Sequence, residues 1–396
     1  MFFAAALPAL ALAFSAQANP PESPGPFPAG WRDIQYMDPA TGSTNHARIY
    51  YPAISTGYNA TPDSSFGPYP LVGFLHGYGG SASGYDILST HLVSYGFLVA
   101  SIDNGPVPTA LECQNLLHWV DTQSHDTNHW LANMARDGDW SAIGHSMGGD
   151  ALGSLVHIEP RVQTIIGLQA WNGSLGSTQI GSFAGSATWV SGTADTTCPP
   201  SYSKAWYSLC QNTKRKFYFE VDGMGHLGCS DYPWPFDPMA PSEQTRVHKR
   251  LVTTILQAEM LGEEQQYEWV VGQGLSYGEP WSRTQLCKVP VLWGGYQPTA
   301  LGIEMGVLGL PSNTCINAGS LSTGSSSTPF GNSGLDLSQG GKLGSLQLNS
   351  NGYSAWSQLL DPRFSGRTVF AQAVVFSGTP SGLIGSLSKV LTVQIP

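Results

Sequence analysis

Charged side chains are scarce in this sequence. Asp, Glu, Lys and Arg together make up 11% of its 396 residues, whereas a soluble domain ordinarily carries about 25%. Lys and Arg account for only 17 residues, and the formal net charge is -10. Binding a nucleic acid requires clustered cations that neutralise phosphates, so this composition excludes a nucleic-acid partner. Disorder is excluded as well, because disordered chains are poor in hydrophobic residues, which here make up 41%.

Apolar runs of the roughly 20 residues needed to cross a membrane are also missing. The apolar run at residues 1–14 is too short, and it leads into Ser15-Ala16-Gln17-Ala18, a small-residue pattern typical of signal-peptide cleavage. We therefore expect a signal peptide over residues 1–18, export to the extracellular space or the periplasm, and no membrane span. No Lys or Arg precedes the apolar run, which departs from the usual signal peptide.

Cysteine is sparse, with six residues, and in an oxidising compartment we expect these thiols to pair. Cys198 and Cys210 stand at the two ends of a predicted helix that separates them by roughly 18 Å. A disulfide tolerates only about 7 Å between Cα atoms, so these two cannot pair with each other. Cys287 and Cys315 lie apart from the other four, and we expect them to form a disulfide within the C-terminal region.

Two regions of different pattern follow a Pro-rich lead-in at residues 19–30. From residue 31 to 265, strand-like and helix-like segments alternate, which predicts a mostly parallel sheet with helices on both faces. Residues 266–285 are predicted to be a linker. From 286 to 396, short β-branched segments separated by Gly- and Ser-rich loops predict an antiparallel β-sandwich. The predicted fold class is therefore α/β, followed by an accessory β-sandwich domain.

The sharpest motif is Gly-His-Ser-Met-Gly-Gly at residues 144–149. It matches G-x-S-x-G, a tight strand-to-helix turn that exposes a nucleophilic serine on the α/β-hydrolase fold. A predicted strand at 140–143 and a predicted helix at 150–158 flank the motif, as this turn requires. The sequence therefore predicts that Ser146 is a nucleophile.

A serine nucleophile needs a base and a carboxylate that orients the base, and on this fold the acid precedes the histidine in the chain. Asp195 follows a predicted strand at 187–190, and His226 follows another at 216–221. Both residues therefore leave the carboxyl edge of the sheet, where open α/β sheets place their sites. Asp222 is a rival acid, but it stands in the same short loop as His226 and is interpreted as a turn residue.

Acyl transfer also requires two backbone amides that stabilise the oxyanion. We assign one to Met147, directly after the nucleophile, and the other to Tyr78 in the glycine-rich loop at residues 76–80. His76 in that loop is interpreted as structural.

Four residues of metal-ligating types recur at near-helical spacing, which is compatible with a metal site: His118, Asp121, His125 and His129. No His-Glu-x-x-His motif or paired carboxylate accompanies them, so a solvated helix face is the favoured interpretation. We expect neither a metal nor a cofactor.

Four loops, HGYGG (76–80), GHSMGG (144–149), GTADTTCP (192–199) and GMGH (223–226), resemble secreted α/β-hydrolases of the dienelactone-hydrolase/cutinase-like group. That group includes bacterial polyester hydrolases related to the PET hydrolases. The resemblance covers about residues 49–263 and implies a serine carboxylester hydrolase with a Ser146–His226–Asp195 triad. It also implies that Tyr78 and Trp171 clamp the acyl group of the substrate.

The resemblance further implies a Cys198–Cys229 disulfide that ties the acid loop to the histidine loop. The pairing of Cys113 and Cys210 stays open. An insertion at 229–241, with Trp234 and four prolines, departs from the family pattern and leaves the width of the cleft undetermined.

The expected function is therefore a secreted, monomeric ester hydrolase of the cutinase or polyesterase type, acting on an ester substrate that is polymeric or small. One alternative is an acetyl or feruloyl esterase acting on plant cell-wall polysaccharide. An alternative from another class is a catalytically inactive protein that binds a polymer through its C-terminal domain, although the intact triad and oxyanion loop argue against it.

Overall fold

The computed structural model describes residues 19–39, 42–173, 179–271, 279–297, 302–359, 362–379 and 382–396. The predicted signal peptide lies outside these residues. Within them, no helix has the length and apolar character that crossing a membrane requires.

The first part of the chain alternates strands and helices, as predicted. Its strands are Ala29–Met37 (β1), Thr44–Pro52 (β2), Gly57–Tyr58 (β3), Leu71–Leu75 (β4), Leu98–Ile102 (β5), Trp140–His145 (β6), Val162–Leu168 (β7), Ser186–Gly192 (β8), Arg215–Val221 (β9) and Trp281–Cys287 (β10). Its α-helices are Asp86–Ser94 (α1), Ala110–His125 (α2), Met147–Ile158 (α3), Pro200–Leu209 (α4) and Pro241–Leu256 (α5).

These strands form one 10-stranded sheet in the order β10-β9-β8-β7-β6-β4-β5-β2-β1-β3. The central strands from β5 to β9 pair in parallel, while β1, β2 and β10 join antiparallel at the flanks. The fold class predicted for this part, a mostly parallel sheet with flanking helices, is confirmed.

Both faces of the sheet are buried, as the fully buried strand β4 illustrates. Phe74 packs into a core cluster that contains Leu92 of α1 and Leu251 of α5. The neighbouring Leu75 packs into a second cluster with Leu152 of α3. Successive side chains of a strand point to opposite faces, so helices must cover each face, and the sequence of such a strand is continuously apolar.

The C-terminal part of the chain is all β. Its strands are Val291–Gln297 (β11), Gly302–Leu308 (β12), Thr314–Ser320 (β13), Thr323–Thr328 (β14), Gly331–Leu335 (β15), Gly340–Gln347 (β16), Tyr353–Leu359 (β17), Thr368–Thr379 (β18), Gly382–Leu387 (β19) and Leu391–Gln394 (β20).

Antiparallel pairing arranges them as a sheet β11-β12-β17, a sheet β16-β13-β18-β19 with β20 beside β18, and a hairpin β14-β15. Ile303 and Met305 from the first sheet share one core cluster with Ala371 and Ala373 from the second. The two sheets therefore pack face to face, and the predicted antiparallel β-region is confirmed.

The two parts of the chain meet through buried aromatic side chains. Strand β10, which begins in the segment predicted as a linker, pairs with β9 from Trp281 to Cys287. Trp293 of β11 donates a hydrogen bond from Nε1 to Glu268 Oε1 at 2.7 Å. Its ring stacks on Tyr353 of β17 at a centroid distance of 6.0 Å. The β-region is therefore packed against the central sheet.

The structure corrects the predicted disulfides, because all six cysteines are free and buried. Cys198 directs its Sγ toward Ser146 Oγ, 3.9 Å away, and does not bond to Cys229. Cys287 belongs to a core cluster of the central sheet, whereas Cys315 lies in the sandwich core and donates to Asn317 Oδ1. The Cys198–Cys229 and Cys287–Cys315 predictions were therefore wrong: Cys287 and Cys315 lie in different cores, and the thiols of Cys198 and Cys229 are each free. Cys113 and Cys210, whose pairing was left open, are also free.

A buried ion pair joins β9 to the segment after α5. Glu259, whose side chain is fully buried, accepts hydrogen bonds from Arg215 Nε at 2.6 Å and Nη2 at 2.7 Å. Lys214 and the Tyr267 hydroxyl also contact this carboxylate. Burial alone would raise the pKa of Glu259, but the adjoining cations, Arg215 foremost, hold it at about 2.

We expect Glu259→Gln to lower the free energy of unfolding at neutral pH by about 3–5 kcal/mol, because it leaves Arg215 buried without its counter-charge. A carboxylate with a depressed pKa stabilises the fold above its unfolded pKa, and that contribution disappears as pH falls through the folded pKa. The difference between wild type and variant should therefore shrink from pH 4.5, the ordinary value, toward pH 2.

Urea unfolding followed at several pH values measures that difference. Glu243→Gln is the matched control, because Glu243 bonds Arg246 with a side chain that is 38% exposed, and exposed pairs contribute about 1 kcal/mol at most. Equal losses of unfolding free energy in the Glu259→Gln and Glu243→Gln variants would contradict a stabilising buried ion pair at Glu259.

Candidate active site

The chain makes its sharpest turn where β6 passes into α3. Ser146 occupies this turn with φ 52° and ψ −118°, a region that residues other than glycine rarely adopt. The turn is held against its neighbours: a Cβ on Gly148 would lie 2.2 Å from the Leu75 carbonyl oxygen. Glycine is therefore required there, and a tight strand-to-helix turn lies at Ser146, where the sequence predicts one.

The three residues predicted to act together are linked by two hydrogen-bonding contacts, both made by His226. His226 Nε2 lies 3.1 Å from Ser146 Oγ, and His226 Nδ1 lies 2.8 Å from Asp195 Oδ2. The second oxygen of Asp195 accepts hydrogen bonds from the amides of Thr197 at 2.9 Å and Cys198 at 2.7 Å. These bonds fix the carboxylate, so the imidazole is oriented with Nε2 toward the serine.

The rival acid makes a different contact. Asp222 Oδ1 accepts a hydrogen bond from the Thr193 hydroxyl at 3.1 Å, and the Gly223 amide donates to that same hydroxyl at 2.8 Å. Asp222 is therefore part of the turn before His226, as interpreted from the sequence.

The predicted oxyanion loop follows β4 and packs against the nucleophile turn. A Cβ on Gly77 would lie 2.7 Å from His145 Nδ1, so this glycine permits the close approach of the two loops. The Gly79 amide donates to the Pro106 carbonyl at 2.7 Å, which fixes the loop beyond Tyr78. The other predicted donor, Met147, opens α3, and the first amides of a helix have no partner within it.

His76 and Trp171 flank this site in different ways. His76 is fully buried, and its Nδ1 lies 2.7 Å from the Gly77 carbonyl oxygen, which fits a structural role. The Trp171 amide donates to the Ser146 carbonyl at 2.8 Å, and its ring meets Tyr202 edge-on at 5.4 Å. The Tyr78 side chain is 72% exposed. Their proposed function as an acyl clamp stays a prediction.

The residues weighed as a metal site do not form one group. His118 Nε2 contacts Glu159 and Arg161, whereas His129 lies beyond the end of α2 and packs on Trp119. Asp121 and His125 do converge with Asp137, with ligand atoms within 4.8 Å of one another. This second set lies on the surface, where the His125 and Asp137 side chains are 60% and 79% exposed.

The family model that describes PET hydrolase-like proteins matches residues 24–232. The matched segment spans more than half of the chain and contains Ser146, Asp195 and His226. The chain belongs to the PET hydrolase-like family. A search of curated proteins found no match.

In this PET hydrolase-like chain, Cys198 lies next to Ser146. The sequence assigned this cysteine to a disulfide. Its side chain is 1% exposed, and burial raises the pKa of the thiol to about 12. The thiol is therefore neutral near pH 7.

A second feature missed from the sequence is a buried hydrogen-bonded chain through Tyr85 and His145. The Gly77 amide donates to the Tyr85 hydroxyl at 3.0 Å, and that hydroxyl lies 2.7 Å from His145 Nδ1. On its other side, His145 Nε2 lies 2.9 Å from the His226 carbonyl oxygen. Burial lowers the pKa of His145 to about 3, so its ring is neutral.

One neutral tautomer satisfies every link of this chain. The Tyr85 hydroxyl donates to Nδ1 of His145, and Nε2–H of His145 donates to the carbonyl of His226. The oxyanion loop, the residue before the nucleophile and the histidine loop are thereby joined through two side chains. We therefore expect Tyr85 and His145 to be positioning residues that act through Gly77 and His226.

We expect Tyr85→Phe to lower kcat for a soluble ester about tenfold, equivalent to about 1.4 kcal/mol of the barrier, with KM nearly unchanged. The variant keeps the ring but removes the acceptor of the Gly77 amide, so the oxyanion loop loses alignment where charge develops in the transition state.

Steady-state kinetics and a thermal melt check this expectation. Tyr69→Phe is the matched control: its buried hydroxyl donates to the Asp63 carbonyl at 2.7 Å, at the start of β4 and away from the triad. A rise in KM alone, or the same loss of kcat in both variants, would rule out a positioning role.

Proposed function

We propose that this chain is a secreted serine carboxylester hydrolase that cleaves polyesters through an acyl-enzyme. The observation that carries the proposal is the continuous hydrogen-bonded chain from Ser146 through His226 to Asp195, in a protein of the PET hydrolase-like family. The strained turn at Ser146 supports it, because backbone strain is often retained at functional sites.

Ser146, His226 and Asp195 each have a definite part in the proposed reaction, together with two backbone amides. Ser146 Oγ attacks the ester carbonyl carbon while its proton passes to His226 Nε2. The amides of Tyr78 and Met147 donate hydrogen bonds to the oxyanion. His226 then returns the proton to the departing alkoxide, leaving an acyl-serine. A water that gives its proton to His226 attacks this acyl group, and Ser146 recovers its proton as the acid product leaves. Throughout, Asp195 accepts the Nδ1–H bond of the imidazole.

Ser146→Ala should lower kcat on a p-nitrophenyl ester by several orders of magnitude, because it removes the atom that forms the acyl bond. The thermal midpoint should stay near that of the wild type. Near wild-type turnover by the purified variant would refute the mechanism.

An exposed aromatic surface beside the site supports a polymeric substrate. In the 229–241 insertion, Tyr232, Trp234 and Phe236 are 73%, 55% and 81% exposed, and the Trp234 and Phe236 rings meet at 5.6 Å. Solvent-exposed aromatic groups gathered in one segment are characteristic of interaction surfaces. A flat, apolar polyester surface offers the complementary contact.

The insertion is hydrogen-bonded to the histidine loop and to the short helical turn that follows the oxyanion loop. The Asp231 amide donates to the Gly84 carbonyl at 2.8 Å, next to α1 and the oxyanion loop, and the Met239 amide donates to the Gly223 carbonyl at 2.9 Å in the histidine loop. Rings held between these anchors bring a bound polymer close to Ser146.

We expect a Trp234→Ala/Phe236→Ala double variant to release products from a polyester film about tenfold more slowly, a loss of about 1.4 kcal/mol. Its kcat/KM on soluble p-nitrophenyl acetate should stay near the wild-type value, because that ester needs no extended contact. Phe66→Ala is the matched control, since Phe66 is 71% exposed but precedes β4 at the opposite edge of the sheet. A parallel fall on film and soluble ester would overturn the proposed function of the surface.

The same aromatic surface also keeps the plant cell-wall esterase as a second candidate, because aromatic rings stack on feruloyl groups. Release of acetate or ferulate from xylan, measured beside the film assay with the same variants, separates the two. Release from xylan that is faster than release from the film, and that depends on Trp234 and Phe236, would favour the second candidate. A folded wild type inactive on every ester would favour the third, a polymer-binding protein.

The proposal includes export after removal of residues 1–18, a monomeric state, and a division into a hydrolase domain that extends through β10 to Cys287 and a β-sandwich that follows it. N-terminal sequencing of protein from the culture medium checks the first, and light scattering checks the second.

A further inference from the structure

Three types of metal-binding side chain converge beside the nucleophile. Asp195, Cys198 and His226 each offer one ligand atom, and these atoms all lie within 4.8 Å of one another. Carboxylate oxygen, thiolate sulfur and imidazole nitrogen are the ligands that Zn²⁺ takes in proteins. We propose that Zn²⁺ binds this set and reversibly inhibits the enzyme. Its inhibitory effect rests on the proposed function, whereas Zn²⁺ binding does not.

The distances suit a small tetrahedral ion after modest closure. With bonds of about 2.0–2.3 Å, tetrahedral ligands stand about 3.5 Å apart. The His226 side chain is 17% exposed, so it is the ligand of the three that reaches solvent, while Asp195 and Cys198 are buried. Ser146 Oγ, 3.9 Å from Cys198 Sγ and 3.1 Å from His226 Nε2, or a water completes the coordination.

The carboxylate is already held in place for such a site. Asp195 Oδ1 accepts the amides of Thr197 and Cys198, while Oδ2 faces His226. Outer hydrogen bonds of this kind orient a ligating carboxylate and raise metal affinity. They come from the Asp-Thr-Thr-Cys turn, which also carries the thiol. One short loop thus supplies two of the three ligands.

The ligand types select a thiophilic cation. Mg²⁺ and Ca²⁺ require six or more oxygen ligands, and this cluster holds one carboxylate beside sulfur and nitrogen. Zn²⁺ binds such mixed sets. On binding, Zn²⁺ displaces the proton of the Cys198 thiol to solvent, and it takes electron pairs from the resulting thiolate and from the imidazole and the carboxylate that pass the serine proton. His226 then cannot accept that proton, so acylation stops until a chelator removes the ion.

The test measures metal binding separately from catalysis. Full-length enzyme, kept reduced with a non-chelating phosphine, is titrated with Zn²⁺ by calorimetry and with Co²⁺ by absorption spectroscopy. We expect one ion per chain and a sulfur-to-cobalt charge-transfer band. Zn²⁺ should inhibit hydrolysis of a soluble ester and a chelator should restore it, while Mg²⁺ at the same concentration should leave the rate unchanged.

Two alanine variants make the comparison specific. Cys198→Ala should weaken Zn²⁺ binding at least tenfold and abolish the cobalt band, with inhibition expressed relative to its own metal-free rate. Cys229→Ala is the matched control, because Cys229 is also buried and also lies in a loop of the site, but it does not belong to the ligand set. Its Zn²⁺ affinity and cobalt band should match those of the wild type.

Three outcomes would overturn the inference: no stoichiometric Zn²⁺ binding, a cobalt spectrum without the sulfur band, or equal affinity in the Cys198→Ala variant and the wild type. An enzyme that binds Zn²⁺ through Cys198 yet hydrolyses no ester would uphold the metal site and refute the proposed function.

Discussion

The site depends on one backbone constraint, the left-handed conformation of Ser146. Such a conformation costs about 1–3 kcal/mol, and the surrounding sheet must hold it. The Ser146 amide donates to the Leu168 carbonyl at 3.1 Å, and the Ser146 carbonyl accepts the Trp171 amide at 2.8 Å. Strand β7 and the segment after it therefore clamp the turn from one side, while Gly148 lies against β4 on the other. The parallel order β4-β6-β7 is thus a precondition for exposing the hydroxyl.

The sequence was informative wherever the cause of a structure is local. Glycines at 144, 148 and 149 announce a tight turn, and Asp195 and His226 follow apolar strands, so their place at one edge of the sheet could be predicted. The Tyr85–His145 contact spans 60 positions, and its members pack together only because β4 and β6 are neighbours. The direction of the Cys198 side chain likewise depends on a turn whose hydrogen bonds close on Asp195.

The C-terminal boundary shows another limit of pattern analysis. The composition changes gradually between residues 266 and 290. Strand pairing, in contrast, has a definite limit, because β10 continues the central sheet as far as Cys287. A strand can be added antiparallel at the edge of a sheet without a helical crossover. The alternation of strands and helices that marks the α/β part therefore stops before its sheet ends. Trp293 of β11 then packs into the core of the central sheet and donates to Glu268, a contact that no local motif indicates.

Strand β10 also determines which strand edge of the central sheet is exposed to other copies of the protein. Without it, β9 would be the last strand, and its backbone groups would face solvent beside Phe217, Phe219 and Val221, which are fully buried here. An apolar strand with an unpaired edge is a template for aggregation. Strand β10 covers that edge with alternating exposed and buried side chains. A chain that stops at residue 265 therefore exposes this apolar edge to other copies, and it also loses Tyr267 and Trp281 from the core of the central sheet.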